Sequence, residues 1–148
     1  AYAFTLNNTD SVYGDLEYVQ KSDTNKVIRK WVSGNFTHDK IKNGWMPPHP
    51  TFYMSRKKYK ELGGFNLGYK IAADYDSILR YLYKGEVTTH YIPETLVKMR
   101  VGGASNRSIA NIIQKSKEDI KALKNSNVPW FKALVMKNLT KAPQFFKK

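Results

Sequence analysis

The sequence predicts an α/β fold followed by C-terminal helices. Runs of β-branched and aromatic residues alternate with helix-like apolar patterns over residues 11–100, and a lysine-rich amphipathic segment follows them. With 148 residues, 41% of them hydrophobic, the chain is long enough for one domain with a sizeable core. It has no run of about eighteen apolar residues and no apolar leader at its start. These features favour a soluble α/β domain.

The first predicted elements are a β-hairpin and a short helix. Residues 11–19 and 27–32 are rich in β-branched and aromatic side chains, and the turn formers SDTN lie between them. Thr37 is a candidate N-cap for a short helix that ends at Gly44. The prolines of MPPHP, residues 46–50, then exclude a regular helix and lead into a short strand over 51–54.

Two further helices are expected in the middle of the chain. Ser55 is a favourable N-cap for a helix that stops at Gly63 and Gly64. Apolar residues with helical spacing in SILRYLY predict a second helix over 74–84, which Gly85 ends. Asp74 and Asp76 therefore lie in the first turn of that helix.

The last third of the chain predicts two strands and two helices. Residues 87–92 and 95–100 have strand composition and are separated by Pro93, after which VGGAS forms a loop. Isoleucines and a leucine then predict an amphipathic helix with its apolar face at Ile109, Ile112, Ile113, Ile120 and Leu123. Residues 125–129 break it, and a second, more apolar helix covers 130–136.

Charge and composition limit the chemistry. The chain lacks cysteine, which excludes disulfides and thiolate catalysis. Its net charge of +13 attracts anions, and candidates are nucleic acid, a nucleotide diphosphate or an anionic membrane surface. No acidic residue follows Asp119, whereas seven lysines do. The tail is thus a cationic segment.

The pair Asp74 and Asp76 allows two interpretations. Carboxylates at a helix start accept hydrogen bonds from free backbone N–H groups, which stabilises a helix by roughly 0.5–2 kcal/mol. A carboxylate at the same place, facing a cleft, also suits a general base that removes a proton from a hydroxyl. We expect Asp76 to cap the helix and Asp74 to face outward.

Several motifs resemble those of family 2 glycosyltransferases of the bacterial polysaccharide-building type. The stretch GGFNLGYKIAADYDSILRYL is similar to G-G-F-D, a spacer, E-D-x-D-L and a helical arginine in that family. YGDLEYV, KNGWMPPHPTFYMSRKKYKELGGF and YIPETLVKMRVGGAS fit the same family in order. The resemblance covers residues 12–106.

The resemblance implies a GT-A fold with a mixed sheet, of which this chain is the carboxy-terminal, acceptor-side part. Together with the cationic tail, it leads us to divide the chain into that part, 1–105, and a basic helical, amphipathic tail, 106–148. It implies that Asp74 deprotonates an acceptor hydroxyl, of a polysaccharide or glycolipid precursor, as the hydroxyl attacks a nucleotide sugar with inversion. The family's nucleotide-binding half holds Mn²⁺ or Mg²⁺ through a D-x-D motif, so we expect the metal ligands outside this chain and the isolated chain to be inactive.

The sequence also departs from the family pattern. Ala73 replaces the usual Glu, Asn66 replaces the usual Asp, and the Q-x-x-R-W signature of processive synthases is missing. Transfer of a single sugar is therefore favoured over processive synthesis.

Five further residues are candidates for substrate binding. His49 lies between two prolines and could contact donor diphosphate or acceptor, or be an ordinary loop histidine. Arg100 precedes glycines that let backbone approach a phosphate, although a simple strand-end turn is the alternative. The complete set is His49, Asp76, Arg100, Gly102 and Gly103. Arg80 is the expected i, i+4 ion-pair partner of Asp76.

Two questions of location and class stay open at this point. Aromatic and aliphatic residues interleaved with lysines over 128–148 fit peripheral contact with an anionic membrane, or else packing onto the other half of the enzyme. We expect a cytoplasmic protein, at the inner face of the cell membrane if the tail binds lipid. The alternative function is a basic nucleic-acid-binding module, which the charge supports but for which no recognition motif is present.

Overall fold

A computed structural model describes residues 9–102 and 108–141 and shows an α/β fold with a mixed four-stranded sheet. The central strand β1 pairs in parallel with β4 and antiparallel with β2 and β3. The strands are β1 (Ser11–Val19), β2 (Val27–Trp31), β3 (Tyr53–Met54) and β4 (Thr89–Arg100). The predicted class and the hairpin of β1 and β2 are confirmed.

The strand register fixes which residues share an end of the sheet. Strand β4 runs along the whole of β1, from the pair Ser11 and Thr89 to the pair Val19 and Arg100. Strands β2 and β3 pair with opposite ends of β1, so they lie end to end along its other edge. Strand β3 and the start of β4 therefore lie at the end of the sheet where β1 begins.

Strand β4 is one continuous element, so the prediction of two strands separated by Pro93 was wrong. The register passes from the pair Gly14 and Ile92 to the pair Asp15 and Thr95, which leaves Pro93 in a bulge. Proline has no backbone N–H to donate to a sheet, and a bulge is where this costs no paired hydrogen bond.

Five α-helices complete the part of the fold that the structure describes. They are α1 (His38–Lys42), α2 (Arg56–Leu62), α3 (Ala73–Ile78), α4 (Ile109–Asn125) and α5 (Trp130–Lys141). A 3₁₀ turn, His49–Thr51, takes up the start of the strand predicted over 51–54. A π-helical segment, Leu79–Lys84, extends α3 as far as Gly85, where the sequence predicts the stop.

Two predicted N-caps have different outcomes. The hydroxyl of Ser55 accepts a hydrogen bond from the backbone N–H of Lys58, which confirms it as the cap of α2. Thr37 occupies the N-cap position of α1, but its side chain makes no capping hydrogen bond.

One hydrophobic core joins the parts of the chain on either side of residue 105. Its buried members from α3, the π-helical segment, α4 and α5 are Tyr75, Ile78, Leu79, Tyr81, Leu82, Ala122, Leu123 and Ala133. Gly44 brings α1 against α5 so closely that a Cβ there would lie 2.2 Å from the carbonyl oxygen of Ala133. The C-terminal helices thus form part of the core around α3.

The buried face of α4 differs from the predicted one. Ile109, Ile112 and Ile113 are exposed, whereas Glu118 and Asp119 are buried together with Ala122 and Leu123. The apolar spacing predicted the helix but not which of its residues contact the protein. Within the residues that the structure describes, no helix is both long and apolar enough to cross a membrane.

Candidate active site

Asp74 lies half-buried in the first turn of α3. Its Oδ1 accepts a hydrogen bond of 2.7 Å from the backbone N–H of Tyr75, and its backbone carbonyl accepts one of 2.8 Å from the Ser77 hydroxyl. Among the described residues, no salt bridge involves Asp74. The carboxylate of Asp74 therefore lies at a fixed helix start without a paired cation among the described residues.

Asp76 is buried and makes an ion pair instead of capping α3. The N-cap residue of α3 is Ala72, whose side chain forms no capping hydrogen bond. The predicted capping role of Asp76 was therefore wrong. Its Oδ2 accepts a 3.0 Å hydrogen bond from Nε of Arg80, which confirms the expected i, i+4 pair. Burial and this neighbouring carboxylate raise the pKa of Tyr69.

The guanidinium of Arg80 connects this ion pair to the end of α2. Nη1 donates to the carbonyl of Leu62 at 2.7 Å, and Nη2 donates to the carbonyl of Gly64 at 2.6 Å. Carbonyls at a helix C-terminus lack partners within the helix, and a cation satisfies them well. Asp76 and Arg80 together hold α2 against α3, a structural role that occupies Asp76.

Glu118 holds the turn that leads into α3, and the sequence did not reveal this. Its carboxylate accepts hydrogen bonds from the backbone N–H groups of Lys70, Ile71 and Ala72 at 3.0, 2.8 and 2.9 Å. Gln114 donates a fourth at 2.7 Å. Burial raises the pKa of Glu118, but these four donors outweigh it and lower the pKa to about 2.

A small aromatic cleft lies beside α3, and His49 lines it. The cleft has a volume of about 190 Å³. Its walls come from the 3₁₀ turn, β3, α2, the segment after α2, and the helix that carries Asp74; they are His49, Phe52, Met54, Tyr59, Phe65, Ser77 and Tyr81. We call this the aromatic cleft.

The rings of the aromatic cleft are held by contacts with one another. The imidazole of His49 meets the ring of Phe65 edge-on at 5.3 Å between centroids. Phe52 and Tyr81 are nearly parallel, with centroids 6.4 Å apart, and the Tyr81 hydroxyl donates to the carbonyl of Gly63 at 2.7 Å. The walls of the cleft therefore combine fixed aromatic rings with the polar side chains of His49 and Ser77.

Asp74 lies one helical turn from the aromatic cleft. Ser77 lines the cleft, and side chains three residues apart on a helix are neighbours, with Cβ atoms about 5–6 Å apart. Asp74 and His49, which the sequence singled out separately, thus flank the same part of the molecule.

Arg100 and Gly102 lie elsewhere. Thr51, at the end of the turn that carries His49, donates its hydroxyl proton to the carbonyl of Gly14, whereas Arg100 pairs with Val19. Five residues of β1 separate these points, about 16 Å at roughly 3.3 Å per residue. Gly102 has a positive φ of 103°, and Gly103 lies outside the described residues.

A second polar cluster lies between α4, α5 and α3. Oδ2 of the buried Asp119 accepts hydrogen bonds of 2.8 Å from both Lys115 and Lys137. The ammonium of Lys137 also lies 3.5 Å from the ring centroid of Tyr75. The spacing of Lys115 and Asp119 suggests their helical pair, but no local pattern indicates that Lys137 is buried.

The described residues form no cluster of side chains that could bind the divalent cation implied by the family resemblance. Within residues 9–102 and 108–141, no three His, Asp or Glu side chains come close enough together to hold a metal ion. Asp76, Glu118 and Asp119, the buried carboxylates nearest α3, are each bound to donors of the protein itself.

Comparisons of the chain with protein-family models, with curated proteins and with solved structures find no significant match.

Proposed function

We propose that this chain is the acceptor-side part of an inverting glycosyltransferase with a GT-A fold. The reaction is the transfer of one sugar from a nucleotide-sugar donor to a hydroxyl of a polysaccharide or glycolipid precursor. The observation that carries the proposal is the position of Asp74, which lies without a cationic partner among the described residues, on a fixed helix start and one turn from an aromatic cleft. The family-like motifs over residues 12–106 support it.

Asp74 acts as the general base in this proposal. As the acceptor hydroxyl oxygen attacks the anomeric carbon, the hydroxyl proton passes to the carboxylate, and the nucleoside diphosphate leaves from the opposite face of the sugar. Because Oδ1 of Asp74 already accepts the N–H of Tyr75, we assign the proton transfer to Oδ2. The hydrogen bond to Oδ1 fixes the plane of the carboxylate for this step.

The aromatic cleft suits the acceptor sugar. A pyranose ring presents C–H groups on its faces and hydroxyls around its rim, so aromatic walls next to polar groups match it. A volume of about 190 Å³ is below the roughly 300–1,000 Å³ typical of sites for drug-sized ligands, which favours a single ring. His49, which is partly exposed, is the polar side chain that would hydrogen-bond a hydroxyl of that ring.

The donor diphosphate and its Mn²⁺ or Mg²⁺ are assigned to residues outside this chain. The chain alone would then transfer no sugar, because the metal ion that offsets the charge on the leaving diphosphate would be missing. Arg100 and Gly102, about 16 Å along the sheet from the turn of His49, would reach only a distant part of the substrates. We place the enzyme in the cytoplasm.

Substitution of Asp74 in the enzyme that also contains the donor-binding part tests this function. Asp74→Asn should lower the rate of transfer from labelled nucleotide sugars by about 10² to 10⁴ while leaving donor binding intact. Asp39→Asn is the matched control, since Asp39 is 84% exposed and forms a surface salt bridge with the nearby Lys42. Full turnover by Asp74→Asn would contradict the proposal. Salt-dependent binding of single-stranded RNA, with no response to nucleotide sugars, would favour the nucleic-acid-binding alternative.

A further inference from the structure

Helix α5 exposes a line of large apolar side chains on the side away from the protein. Phe131, Val135 and Leu139 are 68%, 41% and 59% exposed, and their spacing of four residues places them along one helical face. Ala133 and Lys137 are buried, so they mark the opposite face, which packs against α1 and α4. We call Phe131, Val135 and Leu139 the outer face of α5.

An aromatic pair and an ammonium group lie at the start of the outer face. The rings of Trp130 and Phe131 meet edge-on with centroids 5.8 Å apart, and Nζ of Lys124 lies 5.2 Å from the Trp130 ring centroid. Tryptophan next to lysine is typical of segments that lie at a membrane interface, where the ring contacts acyl chains and the ammonium contacts lipid phosphates.

The exposed charged side chains described after Asp119 have one sign. Asp119 is the last acidic residue of the chain, and it is buried between Lys115 and Lys137. The exposed charged side chains described after it are Lys121, Lys124 and Lys132, all positive. One exposed carboxylate, Asp39 of α1, lies near Lys132 and pairs with Lys42. An apolar face accompanied by the lysines of α4 and α5 is complementary to a surface that is apolar inside and anionic outside.

We propose that the outer face of α5 binds the surface of an anionic lipid bilayer, with the helix lying in the plane of the headgroups. A second copy of this chain is a poorer occupant, because it would carry the same net charge of +13. Nucleic acid would pair with the lysines and could stack bases on Phe131, but acyl chains match the aliphatic side chains of Val135 and Leu139 better. The inference is independent of the transferase activity, since it uses no residue of the aromatic cleft.

Vesicle co-sedimentation of the 148-residue chain tests the proposal. The chain should bind vesicles of phosphatidylglycerol and phosphatidylcholine in equal parts, and bind vesicles of phosphatidylcholine alone much more weakly. Replacing Phe131, Val135 and Leu139 with glutamine should reduce binding to the anionic vesicles by about tenfold or more, because the apolar area that enters the bilayer is lost. Lys124→Gln with Lys132→Gln should reduce the preference for anionic lipid.

A matched control removes the same number of exposed apolar side chains elsewhere. Val27, Ile28 and Val32, in or next to β2, are 46%, 50% and 62% exposed, and their replacement by glutamine should leave vesicle binding unchanged. The single change Phe131→Gln, at the most exposed of the three positions, should lower binding several-fold and is the test to use if the triple variant does not fold.

Three results would overturn the proposal. One is failure of the unaltered chain to bind anionic vesicles, and another is an equal loss of binding from the β2 control and the α5 variant. The third is a dimer, seen by sedimentation velocity without lipid, that the triple α5 variant abolishes. That last result would assign the outer face to a second copy of the chain.

Discussion

Oε2 of Glu118 lies 2.9 Å from the backbone nitrogen of Ala72, although 46 positions separate the two residues in the chain. Ala72 is the N-cap of α3, and its own side chain cannot accept a hydrogen bond. A carboxylate from α4 therefore binds the backbone N–H groups that lead into α3, and its negative charge also favours the positive end of the helix. The position of Asp74, two residues further on, depends on α4.

Removing the charge of Glu118 should loosen this helix start. In Glu118→Gln, one of the two acceptor oxygens becomes an NH₂ group, so at least one backbone N–H loses its partner. We expect the free energy of unfolding to fall by about 1–3 kcal/mol, as measured by urea titration at neutral pH. Glu61→Gln, in an exposed helical pair with Lys58, should change it very little. Equal effects of the two substitutions would show that the carboxylate does not hold the turn.

The same carboxylate predicts a dependence of stability on pH. Its pKa is lowered from 4.5 in the unfolded chain to about 2 in the folded protein, so folding favours the ionised form. The contribution of Glu118 is then fully present above about pH 4.5 and is lost as the pH falls through about 2. The difference in melting temperature between the unaltered chain and Glu118→Gln should stay constant at higher pH and shrink over that interval. A difference that persists at pH 2 would contradict the assignment.

Gly44 should resist substitution more strongly than Gly34. Both residues have a positive φ, 76° for Gly44 and 65° for Gly34, so alanine costs roughly 1–2 kcal/mol of backbone strain at either position. A Cβ at Gly44 would also meet the carbonyl oxygen of Ala133 at 2.2 Å, whereas a Cβ at Gly34 would meet only Nζ of Lys40, at 3.9 Å. Gly44→Ala should therefore cost about 1–3 kcal/mol more than Gly34→Ala in urea unfolding. Similar costs would mean that α5 does not pack tightly against α1.

The features that the sequence predicted correctly depend on neighbours in the chain. Ser55 caps α2 by accepting a hydrogen bond from a residue three positions away, and Asp76 pairs with Arg80 four positions away. Gly85 ends the π-helical segment that it directly follows. The β1–β2 hairpin likewise joins strands separated by a short turn. Local spacing is sufficient information for each of these.

The features that the sequence did not predict depend on distant partners. Glu118 contacts residues 46 to 48 positions away, and Lys137 is buried because Asp119 and the ring of Tyr75 lie beside it. The composition of α4 favoured burial of its isoleucines, yet the hydrogen-bond donors before α3 require a carboxylate on the inner face. The aromatic cleft is assembled from separate segments in the same way, and only His49 was identified in advance.

Asp74 and Asp76 should differ sharply in their effect on stability. Asp76 is almost completely buried and its carboxylate accepts a hydrogen bond from Arg80, which also holds the carbonyls at the end of α2. Asp76→Asn leaves that guanidinium without its anion. Because Arg80 is about a quarter exposed, water can solvate part of its charge, and we expect the free energy of unfolding to fall by about 1–3 kcal/mol. Arg80→Gln should lower the free energy of unfolding by a similar amount. The double variant should lose less than the sum of the two single losses, because both substitutions remove the same ion pair.

Asp74→Asn, by contrast, should lower the free energy of unfolding by no more than about 1 kcal/mol. Asparagine keeps an Oδ1 that can accept the Tyr75 N–H, and Asp74 belongs to no salt bridge among the described residues, so only the interaction of its charge with the helix start is lost. Urea unfolding of Asp74→Asn and Asp76→Asn side by side measures this contrast. It also determines how the activity test is interpreted, because a general base can be removed without loosening the fold around it. If Asp74→Asn were as destabilising as Asp76→Asn, a loss of sugar transfer would reflect a displaced α3, and the assignment of Asp74 as the base would lose its support.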